Sequence, residues 1–181
     1  MRKYLIIRFI ISYCRIVFYK IIYRRKLHLK GWKYYFGNNT YINIEQGKID
    51  VDDKLYLRRG CEINCSGGRI KIGYNNFFNN NCNITSMGNI SIGNNNLFAP
   101  NVGIFDHNHN YNNQKELICK QGFTIKNIEI GSNVWIGSNV IITAGSKIGD
   151  RVIIGANSVV KGCLVENSFY SGNPAKLIKK I

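Results

Sequence analysis

The 181-residue chain is short of acid. Ten Asp and Glu stand against 25 Lys and Arg, and the first 30 residues hold no acidic side chain. Proline, methionine and tryptophan are scarce, with two of each, and there are three His. Two Pro, and 18 Gly without a G-X-Y period, exclude collagen. No apolar run long enough to span a bilayer is present, because Arg8, Arg15 and Lys20 cut the stretch at 4–23. The same cuts, with no small-residue cleavage site after them, argue against a secretory signal. The six Cys therefore read as reduced thiols in a cytoplasmic protein, not as a disulfide framework. Cys61-x3-Cys65 has no second pair or His at zinc spacing, so no metal is expected. The length suits one domain with an appendage, and a hydrophobic fraction of 45% excludes disorder.

The net charge of +15 is unevenly spread. Nine cations lie in residues 1–30, which leaves an ordinary surplus of +6 for the rest and argues against a nucleic-acid partner. On a helix, Arg8, Ser12, Arg15, Tyr19 and Lys26 fall along one polar seam, and Leu5, Ile6, Phe9, Ile10, Val17, Ile21 and Ile22 fill the remainder. Residues 1–30 are thus predicted to form a basic amphipathic helix. Its broad apolar face suits a membrane interface, with an anionic inner leaflet to attract the cations. The alternative is that this face packs on the protein's own body or on another subunit. Residues 31–48 read as an irregular connection or cap.

From residue 49 onward a six-residue period governs the sequence. Ile130, Ile136, Ile142, Ile148, Ile154 and Val160 lie six apart, and small or β-branched residues such as Val134, Val140, Ser146 and Val152 follow four later. Earlier units repeat the frame at Val51-Leu57-Ile63, Ile72-Phe78-Ile84 and Ile92-Phe98-Ile104. Six matches neither the 3.6-residue period of a helix nor a long strand. It fits a two- or three-residue strand followed by a turn, so that three hexads close one triangular coil. Frame residues point inward and stack at the strand-pairing distance, and Gly and Asn supply the positive-φ corners. Cys61 and Cys82 occupy the four-on core slots. About five such coils are expected, interrupted once by an insertion at 105–127.

The segments "IGSNVWIGSNV", "GSKIGDRVIIGANSVV" and "SGNPAKLIKKI", together with the His-bearing insertion, resemble the hexapeptide-repeat acyltransferases. Within them they are similar to the maltose, galactoside and nodulation-factor acetyltransferase branch and to polysaccharide O-acetyltransferases. The resemblance implies an all-β fold, a left-handed parallel β-helix shaped as a triangular prism. It also implies a homotrimer that moves an acetyl group from acetyl-CoA to a carbohydrate hydroxyl, without a metal. A scaffold module at the membrane surface, with no activity, is the competing expectation.

The insertion "FDHNHNYNNQKELICKQGFTIKN" holds His107 and His109. The resemblance implies His107 as general base, with His109 the runner-up; imidazole titrates in the range that such chemistry needs. Asp106 could orient the imidazole, although neighbours in an extended chain point to opposite sides. By the same resemblance Asn79 and Trp135 would meet the acceptor, with His109 and Asp106 as further contacts to it. Ser138, Ala156, Lys161 and Lys176 would meet the cofactor, and Lys161, Lys176, Lys179 and Lys180 offer cations to its phosphates. Lys161 stands where relatives carry Thr, Val165 where Pro is common, and Asn157 where Gly is frequent.

Overall fold

In the computed structural model, which describes residues 2–181 and the side chains from Ile6 onward, the hexads become short strands separated by tight corners. Helix α1 (Arg2–Ile22) leads into a first coil of β1 (Leu27–Leu29), β2 (Tyr34–Phe36) and β3 (Tyr41–Ile44). The second coil is β4 (Lys48–Val51), β5 (Leu55–Leu57) and β6 (Glu62–Cys65), and the third is β7 (Arg69–Ile72), β8 (Asn76–Phe78) and β9 (Asn83–Ser86). The fourth is β10 (Asn89–Ile92), β11 (Leu97–Phe98) and β12 (Gly103–Phe105). There the chain departs into a hairpin of β13 (His107–His109) and β14 (Phe123–Ile125). It returns as β15 (Ile128–Ile130), β16 (Trp135–Ile136) and β17 (Ile141–Ile142), then β18 (Lys147–Ile148), β19 (Val152–Ile154) and β20 (Val159–Val160). A partial last coil holds β21 (Cys163–Leu164) and β22 (Ser168–Ser171), and β23 (Lys176–Lys180) folds back antiparallel on β22.

Coil stacks on coil to give three parallel sheets. Sheet A runs β1-β4-β7-β10-β15-β18-β21, sheet B runs β2-β5-β8-β11-β16-β19-β22 with β23 added, and sheet C runs β3-β6-β9-β12-β17-β20. Every coil gives one strand to each sheet, so the six strands of sheet C count six complete turns. Five of them lie in the repeat from residue 49 onward, as expected, and residues 27–44 add a sixth. Residues 31–48 are not an irregular connection: Leu27, His28 and Leu29 pair with Ile49, Asp50 and Val51, and Tyr41–Ile44 pair with Glu62–Cys65. The frame is hidden there because Leu29 to Phe36 is a seven-residue step. Lys30 also stands where later coils carry Gly after the frame residue, and aromatic Tyr34, Tyr35 and Phe36 form the strand that pairs with Leu55–Leu57.

The inward side chains form one continuous core. All the frame residues named above are at most 4% exposed, and Phe78 stacks on Phe98 at 4.0 Å and 9°. Burying each such Ile or Phe is worth about 1.5–3 kcal/mol. The corners need left-handed backbone, and at two of them that conformation is borne chiefly by Asn. Asn75, Asn95 and Asn133 hold it between sheets A and B, and Asn81, Asn101, Asn139 and Asn157 between sheets B and C. The latter four join into a side-chain ladder at 3.3, 2.9 and 3.0 Å. The three faces differ in chemistry. Sheet A turns out His28, Asp50, Lys71, Glu129 and Lys147. Sheet B turns out Tyr35, Tyr56, Phe77, Leu97, Trp135, Ile153 and Phe169, in register from coil to coil.

Helix α1 lies across the open edge of the first coil, and its orientation differs from the amphipathic expectation. The polar seam faces inward. Ser12 Oγ accepts from the Phe36 N–H at 2.7 Å, and Arg15 donates to the Phe36 and Gly37 carbonyls at 3.2 and 2.6 Å. The Tyr19 hydroxyl accepts from Ile42 N–H and donates to Thr40 O, both at 3.2 Å, and Lys26 reaches Glu45 O. The reason is physical: a strand edge is a row of polar backbone groups, so polar side chains cap it better than apolar ones. Among the described residues of the apolar face, Phe9 meets Tyr35 edge-on at 5.5 Å, while Ile6, Ile10, Ile21 and Ile22 are exposed. All six cysteines are unpaired.

Candidate active site

At the corner between sheets B and C, small residues leave a groove. It has a volume of about 540 Å³, and Trp135, Ser138, Ala156, Phe169, Lys179 and Ile181 are among the residues that line it. Gly137 forms its floor because the backbones of neighbouring coils meet there: a Cβ on Gly137 would sit 2.6 Å from Ala156 N. Three sequence-predicted residues, Trp135, Ser138 and Ala156, therefore come together. Trp135 is 55% exposed on the outer face of sheet B. Of the four lysines that the sequence offers to the cofactor's phosphates, Lys179 is the one in the groove. Lys176 begins β23 but does not line the groove, and Lys161 lies at the corner between sheets C and A. The signal for Lys179 is the antiparallel return of β23, which pairs Lys179 with Phe169 and which the repeat does not encode.

Asn79 occupies the same corner as the groove, two coils nearer the N-terminus. Its backbone N–H donates to Phe98 O, and Ala99 in turn donates to Ile136 O. Its side-chain oxygen accepts from Asn80 N–H at 2.8 Å and from Arg58 at 3.3 Å, so that oxygen serves the turn. Cys61 and Cys82 sit just behind, donating to Asn79 O and Ala99 O at 3.0 and 3.3 Å. The hydrogen bond with Cys61, and burial, push the Cys82 thiol well up from its ordinary range, which suits a core thiol and not a nucleophile.

The insertion leaves the solenoid at the other end of sheet C. A bend at Asp106 breaks the strand between Phe105 and His107, and alternation of side chains fails there. This corrects the expectation that Asp106 and His107 point apart. The Asp106 carboxylate is 3.2 Å from His107 Nδ1. It also accepts from Ser86 Oγ at 2.6 Å, and from the Met87 and Gly88 N–H groups at 2.9 Å each. Asp106 is fully buried, so it cannot touch an acceptor directly, contrary to the expectation. Gly88 has no room for a side chain, since a Cβ would sit 2.5 Å from Ile125 of β14. That close approach lays the returning hairpin strand over the Asp106 pocket.

His107 pairs with Ile125 across the hairpin, and His109 with Phe123. The His107 ring meets Phe123 edge-on at 5.6 Å and its side chain is 18% exposed, whereas His109 lies on the exposed surface. With Nδ1–H donated to a buried carboxylate, the Nε2 lone pair of His107 is left to accept a proton from a hydroxyl. The arrangement can thus act as a general base held in one tautomer. Among the described residues no three His, Cys, Asp or Glu side chains converge as metal ligands would.

Residues 127–162 match the family model described as "Bacterial transferase hexapeptide (six repeats)". The chain is 34% identical over 142 residues to "Putative lipopolysaccharide biosynthesis O-acetyl transferase WbbJ" of Escherichia coli K12, covering 74% of this chain and 72% of that protein. It is 38% identical over 116 residues to galactoside O-acetyltransferase of the same organism, spanning 64% of this chain and 56% of the enzyme. A galactoside acetyltransferase solved in complex with coenzyme A superposes with a TM-score of 0.62 at 29% identity, over 86% of this chain and 64% of that one. The coils, their corners and these likenesses agree, and the chain belongs to the hexapeptide-repeat acetyltransferases.

Proposed function

We propose that the protein moves an acetyl group from acetyl-CoA to a carbohydrate hydroxyl of a surface polysaccharide or its precursor. In this reading it works in the cytoplasm as a homotrimer with sites shared between neighbours. The observation that carries the reading is the division of the candidate residues between two edges of one prism. His107 and Lys161 lie along the edge between sheets C and A, and Ser138 and Ala156 along the edge between sheets B and C. Sheet C separates them within one chain, so a complete site calls for the groove of one copy and the His107 of the next. Exposed Tyr111, Leu117 and Ile118 on the insertion, and Leu97 and Trp135 on sheet B, are the apolar surface such a contact would cover. The groove suits the cofactor: its lining is mostly apolar, for the pantetheine arm, and Lys179 offers a cation to a phosphate. WbbJ and galactoside O-acetyltransferase, whose names specify O-acetyl transfer, support a sugar hydroxyl as acceptor.

In the reaction, His107 Nε2 takes the acceptor proton as the oxygen attacks the thioester carbonyl carbon. The C–S bond then breaks, and the leaving CoA thiolate takes from His107 the proton that the acceptor gave up. Asp106 holds the imidazolium in place through Nδ1. His107→Ala is expected to lower kcat by about 10²–10⁴-fold while calorimetry still detects acetyl-CoA binding. Mixing His107→Ala chains with groove-blocked Ala156→Trp chains tests the shared site. About a quarter of wild-type activity should return if a site needs two neighbours, and none if each chain is complete. No acetyl-CoA binding by the folded wild type would overturn the enzymatic reading.

A further inference from the structure

Among its described residues, the helix that caps the first coil leaves one face exposed. Ile6, Ile7, Ile10, Phe18, Ile21 and Ile22 are each more than half exposed. Ile10, Cys14, Val17 and Ile21 recur along this face at 4-3-4 spacing, on the far side of the helix from the buried Ser12, Ile16 and Tyr19. A contiguous apolar strip of this length is more than scattered surface residues produce. Cations frame it. Lys20, Arg24 and Arg25 are exposed at the end of the helix, and the indole of Trp32, 95% exposed, stands next to Lys33. Behind the helix, Arg8, Arg58 and Arg59 line a further cleft of about 380 Å³. No helix among the described residues is long and apolar enough to cross a membrane.

We infer that α1 docks the prism end-on onto an anionic lipid surface, its apolar face sunk at the boundary of headgroups and acyl chains. Charge complementarity selects this occupant. A second copy of the same face would bring Lys20, Arg24 and Arg25 against their equals, and the first 30 residues contain no acid to answer them. Side-by-side packing of prisms would cover sheet faces and leave the capped ends open. An anionic bilayer answers both features, because it takes an apolar helix face and attracts cations around it.

The test is flotation of the full chain with vesicles of phosphatidylcholine alone or mixed with phosphatidylglycerol, at low and high salt. Wild type is expected to float with the mixed vesicles, about tenfold less with phosphatidylcholine, and to be released by salt. Ile10→Glu/Ile21→Glu should lose flotation about tenfold, with circular dichroism and solution mass unchanged, since neither side chain is buried against the solenoid. Lys20→Gln/Arg24→Gln/Arg25→Gln should lose the preference for anionic lipid. Failure of wild type to float, or equal flotation of the Ile10/Ile21 variant, would overturn the proposal. A fall in that variant's mass without vesicles would overturn it in favour of a contact between copies. None of these readouts depends on acetyl transfer, so the outcome is separate from that of the reaction.

Discussion

The Asp106 carboxylate accepts from Ser86, from the Met87 and Gly88 backbones and from His107, while wholly shielded from water. Loss of it leaves the Met87 and Gly88 N–H groups without an acceptor and Ser86 Oγ with only the Gly88 carbonyl at 3.1 Å, besides releasing the imidazole. Asp106→Ala is therefore expected to cost about 3 kcal/mol or more in denaturant unfolding. Asp106→Glu restores the charge but shifts both oxygens. If Asp106 positions the imidazole, that variant should depress kcat by tenfold or so and leave KM for acetyl-CoA in place, a split that loss of folding alone would not give. The sequence brought out His107 through its insertion and offered Asp106 as its partner, but strand alternation argued against the pairing. Adjacent side chains diverge only in extended backbone, and the bend at Asp106 removes that condition. Asn79 shows the opposite case: one Asn among many, whose side-chain oxygen the turn already uses.

At the scale of elements, corners and strands have separate requirements. The strands are interchangeable Ile, Val and Phe, and their six-residue frame could be read directly because buried positions recur at a fixed interval. The corners need φ near +60°, which Asn139 adopts at +59° within the B–C ladder. Asn139→Ala is expected to cost about 1–2 kcal/mol, and Asn139→Gly to recover most of it, as urea midpoints would show. What could not be read was the first coil, where aromatic residues mask the frame, and the direction in which α1 faces. A polar helical seam commonly marks water, yet here it marks an open strand edge with unmet hydrogen bonds. The distinction lies in tertiary structure, not in the pattern. Similarly, the groove lysine is set by the turn that returns β23, and no repeat position announces it.

For the whole molecule, the two ends of the prism are the vulnerable places, since every interior strand has a neighbour on both sides. α1 closes one end and β23 extends sheet B at the other. A chain shortened to begin at Gly31 would lose α1 and also β1, uncovering the edge of β4. It is expected to melt lower than the full chain and to form larger species in light scattering, through edge-to-edge pairing. A chain beginning at Arg24 keeps the first coil intact and should fall between the two.

The insertion has a consequence in chain entropy. Corner partners in consecutive coils are separated by 18 to 20 residues, as in Asn139–Asn157 and Asn81–Asn101, but Asn101 and Asn139 are 38 apart. Closing a loop of nearly twice the length costs only about 0.6 kcal/mol more, because the penalty grows with the logarithm of length. That is less than one wrong residue at an Asn corner. A solenoid of this kind can therefore gain, lengthen or exchange the loop that carries its histidines while its coils stay in register. New chemistry can arise between two coils at almost no expense to the fold that holds it.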